Sequence, residues 1–442
     1  MMLQQGKLTN TKMQNRRGWL IVICSGLFYL YQFMIRVSPN IMNDELMARL
    51  SVDGVALGTI VGVYYWSYVG MQLPLGITID RLGPRVFLCS ASCLCAFACY
   101  LFGNTSNMYV AALARFIMGL GSACGLIGTI KLGTIWLEPK QIAKVTAVTI
   151  LLGTVGASLG GTPLKLVLMN NGLELTMEYL SYLGLMIGVI IYFVVHNHPK
   201  LDHHSELQDL HANEHPFKDI KNIIRKPQIW VVAIYGMLMY IPITVIGTAW
   251  GVSFVERACN TTETLAASVV SSMFLGAAAG SPLFAIASDY FKSRKLPMLF
   301  GSVFATVVWC VIVIIEDIPL SCMYMLFFVA GFFYTAKCLT FACICEIMPK
   351  NMSGISIAFA NMIVMTTGII FHPLIGALLD FSWDGKKIDN IYYYSEHDYR
   401  FALIVIPVFL CLACINLFFI QETHPESSIS NVYGPVIDTD LL

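Results

Sequence analysis

Lys337 is the residue whose position demands most of its surroundings. It stands roughly 5 Å from the midpoint of an apolar run covering about residues 320 to 348, at about 1.5 Å of rise per residue. A charged side chain at the centre of hydrocarbon costs about 2.5 kcal/mol or more on insertion scales, so such a position reads as functional. No Asp or Glu falls near the midpoint of any apolar run; Asp80, Asp289, Glu346 and Asp380 all sit at ends. An ammonium without an acid beside it suits a carboxylate or a phosphate. Lys131 lies about 13 Å from the centre of its own run, where reaching the interface competes evenly with facing a cavity. Arg36 and Lys165 lie near the outer ends of runs, where snorkelling is the simpler fate. Arg36 is nevertheless grouped with Lys337 and Lys131 as a cation for an anionic or zwitterionic ligand.

Tyr29, Gln32, Tyr65, Tyr240, Trp250 and Tyr334 could line the same site. Each combines a polar tip with an apolar body, which orients a ligand in a dry cleft. Any one of them alone reads as packing or as part of an interfacial belt. His372 is the histidine placed for proton coupling, although hydrogen-bonded packing is the commoner role for a lone helical histidine. Facilitated transport or exchange stands beside proton symport.

The elements that must hold these residues are membrane helices. With 57% hydrophobic residues, 12% charged residues and a mean hydropathy of +0.70, the chain is too apolar for a wettable soluble surface. Its zero net charge implies no nucleic-acid partner. Runs of roughly 20 apolar residues span about 30 Å as helices. Twelve are read, at 18–39, 54–79, 86–103, 108–137, 141–169, 177–196, 228–254, 264–288, 296–315, 320–348, 352–380 and 400–420. They divide into a polar arm at 1–17, a six-helix bundle at 18–196, a His-rich linker at 197–227, a second bundle at 228–420 and a tail at 421–442. Arm and tail are expected in the cytoplasm, because Lys and Arg number seventeen in the loops of that side against five opposite. No cleavable signal is read after the first run. The tail from Glu422 is expected to be disordered. Most of the fourteen cysteines fall inside runs and read as small packing residues, not as bridges or metal ligands.

The halves repeat one another. Pro74, Asp80 and Arg85 recur in pattern as Pro282, Asp289 and Arg294, and Trp136-Leu137-Glu138-Pro139-Lys140 echoes Glu346-Ile347-Met348-Pro349-Lys350. Parallel repeats of this type place a substrate between them near the midplane.

Gly76-x-x-x-Asp80-Arg81-x-Gly83-x-Arg85 resembles the loop signature of the major facilitator superfamily, and Arg115-x-x-x-Gly119-x-Gly121-x-Ala123 resembles its second signature. The resemblance implies an all-α membrane protein of twelve helices in two pseudo-symmetric bundles that rock around a central site. It implies that Gly76, Asp80, Arg81, Gly83 and Arg85 gate the cytoplasmic side, with Asp80 meeting Arg85 and the start of the helix near Met352. Asp289 and Arg294 would be the weaker counterpart, and Arg115, Gly119 and Gly121 a structural motif. The Gly-Pro pair of drug antiporters is missing from Gly153 to Pro163, which demotes drug efflux. Tyr29-Leu30-Tyr31-Gln32, Arg36-Val37-Ser38-Pro39 and Trp250-Gly251-Val252 look like bacterial relatives of lysosomal dipeptide carriers and amino-acid carriers of intracellular bacteria. The expectation is a monomeric carrier in a bacterial inner membrane for an amino acid, dipeptide or organic acid, with the lipid bilayer and that small molecule as partners. No enzyme activity, cofactor or metal is expected. A siderophore or drug exporter and a transport-inactive sensor are the alternatives.

Overall fold

The computed structural model describes residues 2–72, 74–75, 79, 82–197, 221–349, 352–388 and 391–423. The described residues are helical almost throughout, apart from a small antiparallel hairpin pairing Lys387–Ile388 with Ile391–Tyr392. Helices dominate because a chain in hydrocarbon must satisfy its backbone polar groups internally.

Among the described residues, ten helical runs are long and apolar enough to cross a membrane, or eleven if the bent pair Asn43–Leu50 and Gly54–Met71 counts as one. This falls short of the expected twelve largely because Lys144–Val194 is one run of 51 residues. Straight, it would extend about 77 Å, more than twice the hydrocarbon thickness of about 30 Å. Gly172, with φ at 77°, breaks the Thr162–Val194 helix, so the run has length and a bend for two passes. The first helix runs from Met2 to Val37, so it starts well before residue 18; its polar opening turns contain no proline to stop them.

Proline shapes the Pro227–Val245 helix. Pro242 lacks the N–H that would close the preceding turn, and four residues later the chain widens into a π turn at Ile246–Trp250 before resuming as Gly251–Ala258.

The two halves meet most extensively where Gly54–Met71 runs antiparallel to Ser353–Ser382. Backbone touches backbone along this seam. A methyl on Gly62 would stand 3.2 Å from the Gly368 carbonyl, and one on Gly58 would overlap the His372 carbonyl. Gly83 and Arg85 mark one end of the molecule, called here the loop end. The corner from Ser38 to Gly54, the Gly251–Ala258 helix and the Lys387–Tyr392 hairpin lie at the opposite end. The linker between residues 198 and 220 and the tail from 424 lie outside the described residues.

Candidate functional site

Arg36 closes the last turn of the first helix, and it does not snorkel: it is 2% exposed. Its Nε donates to the Tyr64 hydroxyl at 3.1 Å, and its Nη2 reaches Gln32 Oε1 at 3.5 Å. Its Cζ lies 4.7, 5.4 and 4.8 Å from the ring centroids of Phe33, Tyr64 and Tyr68. Aromatic faces attract a desolvated guanidinium and keep it at protein depth. Tyr29, one turn before Phe33, packs edge-on to its ring.

Arg115, on the Met108–Ser122 helix, approaches the same tyrosine from another side, with Cζ 4.8 Å from the Tyr64 centroid. Its Nη1 donates to the Ile35 carbonyl at 2.9 Å, while Nε and Nη2 are buried without a hydrogen-bond partner. Gly119 permits this approach, because a methyl there would collide with the Tyr64 carbonyl. Gly121 faces Cys95 and the Ala91 carbonyl in the same way, so both glycines serve packing.

In the other half, a 3-10 turn at Thr335–Cys338 interrupts the tenth expected span between Leu320–Tyr334 and Leu339–Ile347. The turn carries Lys337 inward, with Nζ 3.7 Å from the Tyr240 ring centroid and 5.1 Å from that of Tyr334. Tyr240 also lies near enough to Arg36 for the two to interact electrostatically. One ring therefore joins a cation of each half. Among the described residues, Arg36, Arg115 and Lys337 make no ion pair with a carboxylate. The buried polar atoms left unpartnered nearby include several N–H donors: Gln32 Nε2, Gln72 Nε2, Trp250 Nε1 and the two of Arg115.

Tyr65 reaches across the seam. Its hydroxyl lies 3.4 Å from Thr248 Oγ1, which is 3.1 Å from His372 Nε2; His372 Nδ1 is buried and unpartnered. Lys131 is half-buried, about 9 Å farther along its helix than Gly125, a glycine that faces Tyr29. The structure does not place it at the level of Tyr29.

Lys165 also departs from the snorkelling expectation. Its side chain is 2% exposed, donates to the Ile41 carbonyl at 2.9 Å and to Glu45 at 3.1 Å, and forms an ion pair with Glu263 of the other half. Nearby, Arg257 pairs with Asp44 at 3.2 Å and Glu256 at 2.7 Å. Asp44, Glu256 and Glu263 converge closely, but Lys165 and Arg257 already stand among them as counter-ions, so this is an ion-pair network. Asn40 strengthens the same end by donating to the Ile246 carbonyl at 2.8 Å and accepting from Val252 N–H at 3.1 Å.

At the loop end, Gly76, Asp80 and Arg81 lie outside the described residues. Arg85 is held within its own half, donating to the Tyr192 carbonyl at 2.6 and 2.9 Å with its Cζ 4.6 Å from that ring. Gly83 has φ at 76°, and a Cβ there would lie 2.9 Å from Asn197 Nδ2. In the second half Asp289 and Arg294 do meet, at 3.0 Å, and Arg294 also binds Glu346 at 2.8 Å. Glu422 accepts from the Arg294 N–H at 2.8 Å and the Lys295 N–H at 3.2 Å. The expected disordered tail thus begins with an ordered cap, because the start of the Lys295–Ile314 helix offers free N–H groups to an acid.

Sequence reasoning missed Tyr64, Thr248, Glu45, Glu263 and Arg257. Tyr64 was visible as the first of the adjacent pair Tyr64-Tyr65; the others gain meaning only from partners in the opposite half.

The major facilitator superfamily model matches this chain twice, over residues 21–254 and 232–435. The chain belongs to that superfamily. It is 24% identical over 450 residues to the probable galactarate/D-glucarate transporter GudP of Escherichia coli K12, covering 93% of this chain and 96% of that protein. It is 23% identical to the membrane sensor protein UhpC of Salmonella typhimurium, covering 92% and 93%. Among solved structures, an inward-facing bacterial homolog of the human lysosomal transporter Spinster superposes with a TM-score of 0.75 at 14% identity, covering 91% of this chain and 97% of that one. The nucleoside transporter NupG gives 0.69 at 14% identity, covering 90% and 98%. These neighbours establish the fold. Membership of the superfamily makes the chain a multi-pass integral membrane protein of the transporter class, not an enzyme.

Proposed function

We propose that this protein is a secondary transporter that carries a small organic acid between its two halves, with Arg36 and Lys337 holding the negative groups from opposite sides. The observation that supports it is the pair of buried cations, one in each half, linked by Tyr240 and without a carboxylate partner among the described residues. Burying unpaired charge is expensive, and an anionic ligand supplies the missing counter-charge. Unpartnered donors on Gln32, Gln72 and Trp250 suit a ligand rich in oxygen acceptors.

Relatives support the organic-acid reading over amino acids and dipeptides. They are named as probable transporters of galactarate and D-glucarate, L-galactonate and sulfoacetate. All of these are organic anions. In this reading the loop end faces the cytoplasm of a bacterial cell, following the Lys and Arg distribution, and the ion-paired end faces outward. In the same reading the ties across the ion-paired end close the outer side, and the aromatic rings over both cations must part for the ligand to enter.

The test is uptake into proteoliposomes of labelled galactarate, galactonate and a neutral amino acid. Accumulation of a sugar acid, lost on Lys337→Ala, supports the proposal; normal uptake by that variant overturns it. Similarity to UhpC keeps a sensing role as the other outcome, recognised by a ligand-dependent rise in melting temperature with no flux.

A further inference from the structure

We propose that Asp380, assisted by Tyr394, is the latch that holds the outer end shut, by capping a helix that belongs to the opposite half. The first turn of the Gly54–Met71 helix offers N–H groups at Gly54, Val55 and Ala56 that have no acceptor within the helix. Ala56 is met by its own chain, donating to Asp53 Oδ1 at 2.9 Å. The other two are met across the interface. Gly54 N–H lies 3.1 Å from Asp380 Oδ1 and 2.8 Å from the Tyr394 hydroxyl, and Val55 N–H donates to Asp380 Oδ2 at 2.8 Å. Tyr394 in turn donates its hydroxyl hydrogen to Asp380 Oδ1. Burial, and then the adjacent carboxylate, hold the Tyr394 hydroxyl well above its ordinary pKa, so it remains a donor.

Several features single out this contact from the other ties at the same end. A carboxylate at a helix N-terminus gains both from charge-assisted hydrogen bonds and from the positive end of the helix dipole. The ion pairs of Glu45, Glu263 and Asp44 are made to the long side chains of Lys165 and Arg257, which can follow their partners as the halves move. Asp380 instead grips backbone atoms, whose position is fixed by the helix itself. The fit is close. A methyl on Gly54 would lie 2.9 Å from the Tyr394 hydroxyl, 3.0 Å from Asp380 Oδ1 and 3.1 Å from the Gly376 carbonyl.

The two helices of the seam are antiparallel, so each presents its N-terminus beside the C-terminus of the other, at opposite ends of the molecule. The sequence expectation for the loop end puts Asp80, at the close of one helix, against the start of the other near Met352. Asp380 on Gly54 is that arrangement turned end for end. Rocking about the seam forms one cap as it opens the other, which gives each end its own latch. This inference rests on alternating access but not on the identity of the cargo.

Hydrogen exchange measured by mass spectrometry on the full-length protein in nanodiscs tests it without any ligand, comparing wild type with Asp380→Asn and Tyr394→Phe. In Asp380→Asn the amides of residues 54–56 should exchange about tenfold faster, as expected for loss of a hydrogen bond to a charged group. Residues 246–255 should also exchange faster, while residues 352–361 at the loop end become more protected. Tyr394→Phe should show the same pattern at smaller amplitude, and it carries the test alone if Asp380→Asn does not reach the membrane. Opposite changes at the two ends distinguish a latch from a structural prop. Faster exchange at both ends, a change confined to residues 54–56, or no change would each overturn the proposal.

Discussion

Lys337 Nζ sits 3.7 Å from the centroid of the Tyr240 ring, an ammonium resting on an aromatic face contributed by a different helix of its own half. Such a contact contributes about 2 kcal/mol when desolvated, which falls short of the several kcal/mol that burying an unpaired ion costs. The remainder is the reason a bound anion is expected there.

Removing that charge should therefore affect flux more than assembly. Lys337→Ala is expected to lower uptake of the transported acid by about ten- to a hundredfold, the range for a lost hydrogen bond to a charged group. Membrane insertion and melting temperature without ligand should hold or improve. Size-exclusion profiles and proteoliposome uptake measured on the same preparation separate the two.

Tyr64 orients Arg36 through its hydroxyl, at 3.1 Å from Nε, and presents its ring to Arg115. Tyr64→Phe keeps the ring and removes the acceptor. About 1 kcal/mol of positioning should be lost, which reads as a roughly fivefold rise in the concentration needed for half-maximal uptake. Tyr64→Ala should do far more damage, because Arg115 loses the ring it faces and Arg36 loses one of its three as well as its hydrogen bond.

Gly83 occupies a left-handed conformation, at φ 76°, immediately before the Pro84–Asn104 helix. With ψ at 145° this is a region used almost only by glycine, where an alanine costs about 1–3 kcal/mol, and here its methyl would also press on Asn197. Gly83→Ala should lower the melting temperature by several degrees, readable by differential scanning fluorimetry. A melting curve identical to wild type would contradict the strain argument.

His372 is the remaining proposal for coupling. It is buried, it touches Thr248 of a neighbouring helix, and its ring lies 5.6 Å from that of Tyr65 across the seam. His372→Gln retains a polar group for Thr248 but cannot carry a proton. It should leave exchange of external for internal substrate intact while abolishing the stimulation of uptake by an inward pH gradient. Undiminished stimulation would remove this histidine from the mechanism.

The legibility of this chain divides along a physical line. Lys337 stands out in the sequence because hydrocarbon penalises a charge at mid-depth whatever surrounds it. Tyr240 and Tyr334 follow from their polar tips. The fates of Arg36 and Lys165 escape a sequence reading because snorkelling depends on the local sequence, whereas burial depends on Tyr64, Tyr68, Glu45 and Glu263, which only the fold delivers. The Glu263 partner of Lys165 and the Gly54 partner of Asp380 both belong to opposite halves, and no periodicity connects them. The span count differs at Gly172 for another reason: the helix there continues through a backbone break instead of ending at a polar loop. Glu422 reads as the start of a polar tail because nothing in its own neighbourhood announces the helix it caps.

The line of contact through Gly54, Gly58, Gly62, Gly368 and Gly376 carries one more implication. A joint lined with bulky side chains would have to repack every time the halves changed places, with a barrier at each interlocking methyl. Where main chain meets main chain there is little to disengage, so between the Tyr65 contact and the Asp380 cap this seam can serve as a smooth bearing, and its geometry rather than the cargo would set how freely the machine turns.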